Sequence, residues 1–188
     1  QDKKKIFEGA SLVEEKVEIS KEIAVIAARN INGETKCFPV VEMVFDNNTN
    51  IVEKLICPSK ISSEQSEKAI QLAVEIIEKL GMVGLLAVEF FIDDKGEVIV
   101  NEVAPRPHNS GHHTIESIIT SQFEQHLRAI LNLPLGSTHL KLPAVMLNVL
   151  GENGHEGPVI YEGLSESMAI EGVNIHLYGK KITRPNRK

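Results

Sequence analysis

The sequence has no run of about 20 apolar residues, no charged-then-apolar leader and no low-complexity tract. From those absences neither a helical membrane span nor a secretion signal is expected, and a cytoplasmic setting is the expectation. Cysteine is scarce. Cys37 and Cys57 are the only two, with neither a CxxC spacing nor a partner histidine, and they read as buried free thiols. A basic excess is also missing. The net charge of -6 argues against a nucleic-acid polymer as partner, because phosphate-backbone binders carry positive surface. No internal repeat divides the chain. Gln1 stands where an initiator Met would, and the chain stops at Lys188 after a basic run, so a piece of a longer protein is expected.

What is present suffices for a core: 188 residues, 42% of them hydrophobic. Leu12–Val17 and Ile23–Arg29 read as strands, the second followed by the hairpin signal Asn32-Gly33 and a returning strand over Cys37–Phe45. Asp46–Asn50 is a turn cluster before an extended Ile51–Pro58. From Ser62 or Ser63 the period becomes helical, with Ala69, Ile70, Ala73, Ile76, Ile77 and Leu80 in one stripe closed by Gly81. Leu85–Ile92 and Glu97–Val103 flank the turn-rich Asp93-Asp94-Lys95-Gly96 as a hairpin. Ala104–Gly111 is a loop kept irregular by two prolines and a glycine. Helix resumes over Thr114–Ile119 and again after Ser121, where Ser121 and Glu124 fit a capping box ahead of Leu127, Ile130 and Leu131. A domain boundary is placed at Gly136. Beyond it, Ala144–Leu150, Val159–Tyr161, Ser167–Ile170 and Asn174–Tyr178 read as short strands of a β-rich appendage.

Four features bear on chemistry. If the hairpin loop is Asp94–Glu97, Glu89 and Glu102 lie directly opposite each other and project from one face. Like charges so placed repel unless a cation compensates, and all-oxygen ligands suit Mg²⁺ shared with substrate phosphates. A register shift by one residue would instead leave two unrelated surface glutamates. The second feature is the loop Arg106, His108, Asn109, Ser110, Gly111, His112, His113 leading into a helix. Its donors suit an anion, although the spacing also fits a hydrophilic connection and lacks a zinc pattern. The third is Glu14-Glu15-Lys16-Val17 with Glu22, which could offer backbone groups to an adenine edge and a carboxylate to a ribose, or be ordinary surface. Finally, Lys180, Lys181, Arg184, Arg187 and Lys188 put five cations into the last nine residues of an acidic chain, a candidate anion site or a solvated tail.

Asn101–His112, Thr120–His126 and Leu133–Gly136 together resemble the signature run of the N5-carboxyaminoimidazole ribonucleotide synthases. His176–Lys180 with Arg184–Lys188 resembles that family's C-terminal substrate-binding segment. The resemblance covers essentially the whole chain; His113 departs from it, at a position where the family often has an aromatic residue. It implies an α+β fold: residues 1–136 as the C-terminal lobe of an ATP-grasp fold, an antiparallel sheet with helices, and 137–188 as a small β-rich domain. The implied reaction in purine biosynthesis uses ATP to convert bicarbonate to carboxyphosphate, which carboxylates aminoimidazole ribonucleotide. By position, Glu89 and Glu102 would hold Mg²⁺, Glu14 and Val17 the adenine, and Glu22 the ribose. Arg106, His108 and Asn109 would hold bicarbonate or carboxyphosphate. Ser110, Lys180 and Arg187 would serve the ribonucleotide. The resemblance also implies a separate N-terminal half bearing the phosphate-binding lysines and glycine-rich loop, so the fragment alone is expected to be inactive, and it leaves a homodimer open. Two alternatives remain at this point: the related glycinamide ribonucleotide formyltransferase, which shares the Pro-Arg-Pro-His element, and a non-catalytic interaction domain.

Overall fold

The computed structural model describes residues 10–45 and 52–185. Its centre is a seven-stranded antiparallel sheet in the order β6-β5-β1-β3-β4-β7, with β2 paired to the end of β1. The strands are β1 (Ile19–Arg29), β2 (Thr35–Cys37), β3 (Val41–Phe45), β4 (Val52–Cys57), β5 (Gly84–Asp93), β6 (Val98–Ala104) and β7 (Ala144–Leu147). The helices are α1 (Ser63–Lys79), α2 (Thr114–Ser117), α3 (Gln122–Ile130) and α4 (Leu164–Met168). The expected α+β class and antiparallel sheet are what the chain adopts.

The paired centre, β1 and β5, is apolar on both faces because both faces are covered. Ile23, Val25 and Ala27 of β1 join Leu86, Val88, Phe90 and Ile92 of β5 beneath Ala69, Ala73 and Ile77 of α1. On the opposite face Ile26, Ala28, Leu85 and Ala87 meet Ala129 of α3 and Ile118. A fully buried Ile, Leu or Phe contributes roughly 1.5–3 kcal/mol, so this double layer makes a rigid floor. Helix α1 starts where its capping chemistry directs. The Ser62 hydroxyl accepts from the Gln65 amide at 3.1 Å, and Gln65 Oε1 accepts from the Ser62 amide at 3.1 Å. Gln65 Nε2 also donates to the Gly96 carbonyl at 3.0 Å, tying the helix to the β5–β6 turn.

Several sequence expectations are corrected. Leu12–Val17 is irregular rather than a strand, its Leu12 and Val13 strongly exposed and with no partner strand among the described residues. The turn cluster at 46–50 lies outside the described residues. Helix α2 is a single turn, preceded by a 3₁₀ turn over Asn109–Gly111 and ended by extended backbone at Ile118. The expected anion site at a helix N-terminus therefore has only one turn of aligned peptides behind it.

Helix α3 begins at Ser121, whose hydroxyl accepts from the Glu124 amide at 3.2 Å, but its faces are inverted relative to its hydrophobic pattern. Gln122, Gln125 and Ala129 are buried, whereas Leu127, Ile130 and Leu131 are about half exposed or more. The two glutamines tolerate burial because each clamps a peptide group. Gln125 bonds both the N–H and the C=O of Gly136, at 2.8 and 3.1 Å.

The sheet does not stop at Gly136, since β7 pairs with β4 through Leu55↔Met146 and its neighbours. Among the described residues it is followed by a two-residue ladder, β8 (Gly157–Pro158) with β9 (Ile182–Thr183), and α4. Ser167–Ile170 is thus helical turn rather than strand, and Asn174–Tyr178 is irregular.

Candidate active site

The β5–β6 hairpin sets the first pair of carboxylates. Its turn spans one residue more than Asp94–Glu97, because pairing begins at Ile92↔Val98. Asp93 organises it, accepting at Oδ1 from the amides of Lys95 (2.9 Å) and Glu97 (2.8 Å). A bulge between Glu89 and Phe90 then absorbs the extra residue, so Glu89 and Glu102 do pair directly. Directly paired residues share a face. On the adjacent strand Ala24 pairs with Glu89 and Glu22 with Phe91, so Glu22 projects from this face two positions along.

Three carboxylates converging on one patch must be costly without a counter-charge. Burial pushes the Glu89 carboxyl up to about 7, and the negative charges of Glu102 and Glu22 push it in the same direction, while Arg106 acts against them. Glu22 is raised as well, by burial. His108 approaches the cluster, its Nε2 3.3 Å from Glu89 Oε1. Among the described residues no three His, Cys, Asp or Glu side chains are arranged to hold a metal by themselves. Two opposed carboxylates nevertheless fit a hard cation that completes its shell with water and phosphate oxygens.

His108 is buried in the loop that follows β6, and its placement is determined by contacts within that loop. The His108 Nδ1 is 2.9 Å from the Ser110 hydroxyl, so Ser110 orients the ring rather than facing outward. The His108 amide donates to Gln122 Oε1 at 2.9 Å, and Gln122 Nε2 donates to the His108 carbonyl at 2.8 Å. Gly111 is required beneath them, since a Cβ there would overlap Ile26 and lie 2.5 Å from Gln122 Oε1. Asn109 begins the 3₁₀ turn, half-buried. Arg106 is exposed, with its guanidinium turned to the Pro107 carbonyl at 3.2 Å and its charge felt by Glu89.

The C-terminal segment packs beside this loop. His176 Nε2 is 3.3 Å from Glu116 Oε1. The Tyr178 ring lies 6.2 Å from that of His112, which in turn stacks on Phe123 at 5.7 Å. Lys180 follows at once, half-buried, whereas Arg187 lies outside the described residues. Glu14 and Val17 sit in the irregular stretch before β1, exposed and half-buried respectively, and are not part of the carboxylate cluster. His113, the departure from the family pattern, is buried against Ser117 (Nδ1 to Oγ, 2.8 Å), and burial, then His112, pushes it down to about 4. Both cysteines are free, and burial pushes their thiols up to about 12, which makes them inert as nucleophiles.

The sequence alone did not single out Gln122. Its signal would have been a polar pair, Gln122 and Gln125, three apart on the same helix face as Ala129.

Residues 1–123 match the family model of the ATP-grasp domain, and residues 144–188 match that of the phosphoribosylaminoimidazole carboxylase C-terminal domain. The chain is 41% identical to N5-carboxyaminoimidazole ribonucleotide synthase of Bacillus subtilis over 180 residues, which is 96% of this chain and 45% of that protein. Among solved structures, the N5-carboxyaminoimidazole ribonucleotide synthetase of Thermotoga maritima superposes with a TM-score of 0.91 at 51% identity, covering all of this chain and 50% of that one. The synthase of Aspergillus clavatus in complex with ADP and 5-aminoimidazole ribonucleotide gives a TM-score of 0.83 at 33% identity, over 92% of this chain and 46% of that one. The chain thus spans about half the length of these relatives. The match to a carboxylase C-terminal domain does not favour the formyltransferase, nor does an ATP-grasp match favour a mere interaction module. By the match over residues 1–123 and the sheet that carries it, the chain belongs to the ATP-grasp family.

Proposed function

We propose that this chain supplies the metal- and substrate-binding half of a cytoplasmic enzyme that carboxylates 5-aminoimidazole ribonucleotide with ATP and bicarbonate. An N-terminal half of the same enzyme contributes the remaining phosphate contacts. The observation that carries the reading is the direct opposition of Glu89 and Glu102 on the face that Glu22 and His108 also line.

Glu89 and Glu102 would hold Mg²⁺, with Glu22 nearby as the carboxylate for the ribose. The metal, when bound, would offset negative charge on the transferring phosphoryl group. Arg106 has an exposed guanidinium whose charge reaches Glu89, a fork suited to a bicarbonate or phosphate oxygen pair. His108, oriented by Ser110 and seated against Glu89, would reach the same anion by turning its Nε2 from Glu89 once a metal holds that carboxylate, and Asn109 would add an amide. Glu14 and Val17 would take the adenine on the segment leading into β1. Lys180 and Arg187 would meet the ribonucleotide phosphate, with Ser110 serving the substrate through the His108 ring that it orients. Residues 1–136 would mainly handle nucleotide, metal and bicarbonate and 137–188 the ribonucleotide, with β7 continuing the sheet across Gly136 between them. The test is ADP release by the full-length enzyme. Release should require bicarbonate and be stimulated by aminoimidazole ribonucleotide; release indifferent to both would refute the assignment.

A further inference from the structure

We infer that Gln122 is a positioning residue for His108, acting as a three-way clamp that also fixes the tautomer of His112; the catalytic part of this rests on the proposed function. Gln122 is fully buried, and all its hydrogen-bonding atoms are committed. The orientation of its amide is decided by chemistry. The His108 backbone N–H can only donate, so the atom 2.9 Å away is the amide oxygen. The NH₂ group therefore faces the His108 carbonyl at 2.8 Å and His112 Nδ1 at 3.0 Å. Since an amide NH₂ cannot accept, His112 Nδ1 must be the acceptor in this contact, which places the ring proton on Nε2.

The clamp joins three parts of the site. On one side it holds the peptide of His108, whose ring stands 3.3 Å from Glu89. On the other it holds His112, whose ring touches Phe123 of α3 and Tyr178 of the C-terminal segment. Gln122 is anchored in turn, its own amide donating to Thr114 Oγ1 at 2.9 Å. Gly111 leaves just the space that the Gln122 amide fills, since a Cβ there would come within 2.5 Å of its oxygen. A residue holding two reactive-loop segments at once contributes through geometry, and misplacement by about 1 Å can cost about 100-fold in rate.

The experiment is ¹⁵N NMR of histidine-labelled full-length enzyme together with kinetics of Gln122→Glu. In the wild type, His112 should show an unprotonated Nδ1 and a protonated Nε2. Gln122→Glu keeps the acceptor for the His108 amide but replaces the NH₂ by a second acceptor, so His112 should move its proton to Nδ1. Bicarbonate-dependent kcat should fall about 10- to 100-fold while KM for ATP stays within about twofold. A purely structural glutamine would change the melting temperature without moving the tautomer or separating kcat from KM. A wild-type His112 protonated on Nδ1 overturns the clamp, and an expected tautomer with unchanged Gln122→Glu kcat overturns the positioning role. If Gln122→Glu does not fold, His112→Phe decides. It keeps the ring contacts and removes the acceptor, so kcat should fall several-fold, and an unchanged kcat overturns the proposal. If the wild type shows no bicarbonate-dependent turnover, the proposed function fails, and the wild-type tautomer still judges the clamp.

Discussion

Replacing Glu102 by Gln alters one charge and almost no volume. Glu102 is exposed on the edge strand β6, so little packing is at stake and stability should change by less than about 0.5 kcal/mol from that source. Removing a like charge directly opposite Glu89 should even stabilise the metal-free protein, by up to about 1 kcal/mol. The Glu89 carboxyl, held at about 7 first by burial and next by Glu102, should titrate lower in the variant. Turnover should move the opposite way. Loss of one strong electrostatic contact to a developing charge costs about 100-fold or more, roughly 2.7–4 kcal/mol of transition-state stabilisation. The assay is steady-state ADP release by full-length Glu102→Gln over a Mg²⁺ titration, paired with a metal-free thermal melt. A variant that turns over like wild type at ordinary Mg²⁺ would refute the metal assignment, and one that loses both activity and stability would show a structural glutamate.

His108→Ala should damage the bicarbonate-dependent step more than ATP binding, measured as apparent bicarbonate affinity against nucleotide KM; equal effects would contradict the role. Arg187→Ala and Lys180→Ala should each raise KM for the ribonucleotide by about 10- to 150-fold, the worth of one charge-assisted bond of roughly 1.5–3 kcal/mol, with ATP affinity unchanged. Stability against pH should show two opposed slopes. The raised Glu89 keeps a proton in the folded chain that the unfolded chain loses, so its contribution falls as pH rises from about 4.5 to about 7. The lowered His113 is neutral when folded and protonated when unfolded, so its contribution rises from about pH 4 to 6.5. Urea midpoints of the metal-free protein should therefore climb more steeply with pH in Glu89→Gln and less steeply in His113→Phe, and parallel profiles would contradict both assignments.

Local patterns were readable where local physics decides them. Helix α1 follows its apolar stripe and Ser62 cap, and Glu89 opposite Glu102 was legible because strand register obeys a period of two. Even there the bulge at Phe90 was invisible, and the right pairing arose from a longer turn and a compensating extra residue. Helix α3 misled because Leu127, Ile130 and Leu131 look like a buried face, while burial went to Gln122 and Gln125, whose partners are distant backbone groups. Leu12–Val17 has strand composition and no strand to pair with among the described residues. The irregular stretch 170–181 is positioned by side-chain contacts such as His176 with Glu116 and Tyr178 with His112, which no periodicity encodes.

The most direct measurement follows oxygen. With ¹⁸O-labelled bicarbonate, ATP and aminoimidazole ribonucleotide, the full-length enzyme should release inorganic phosphate carrying one bicarbonate oxygen, because that oxygen attacks the γ-phosphorus and leaves with it when carbon is transferred. Phosphate free of bicarbonate-derived oxygen, at full carboxylation of the ribonucleotide, would contradict the account.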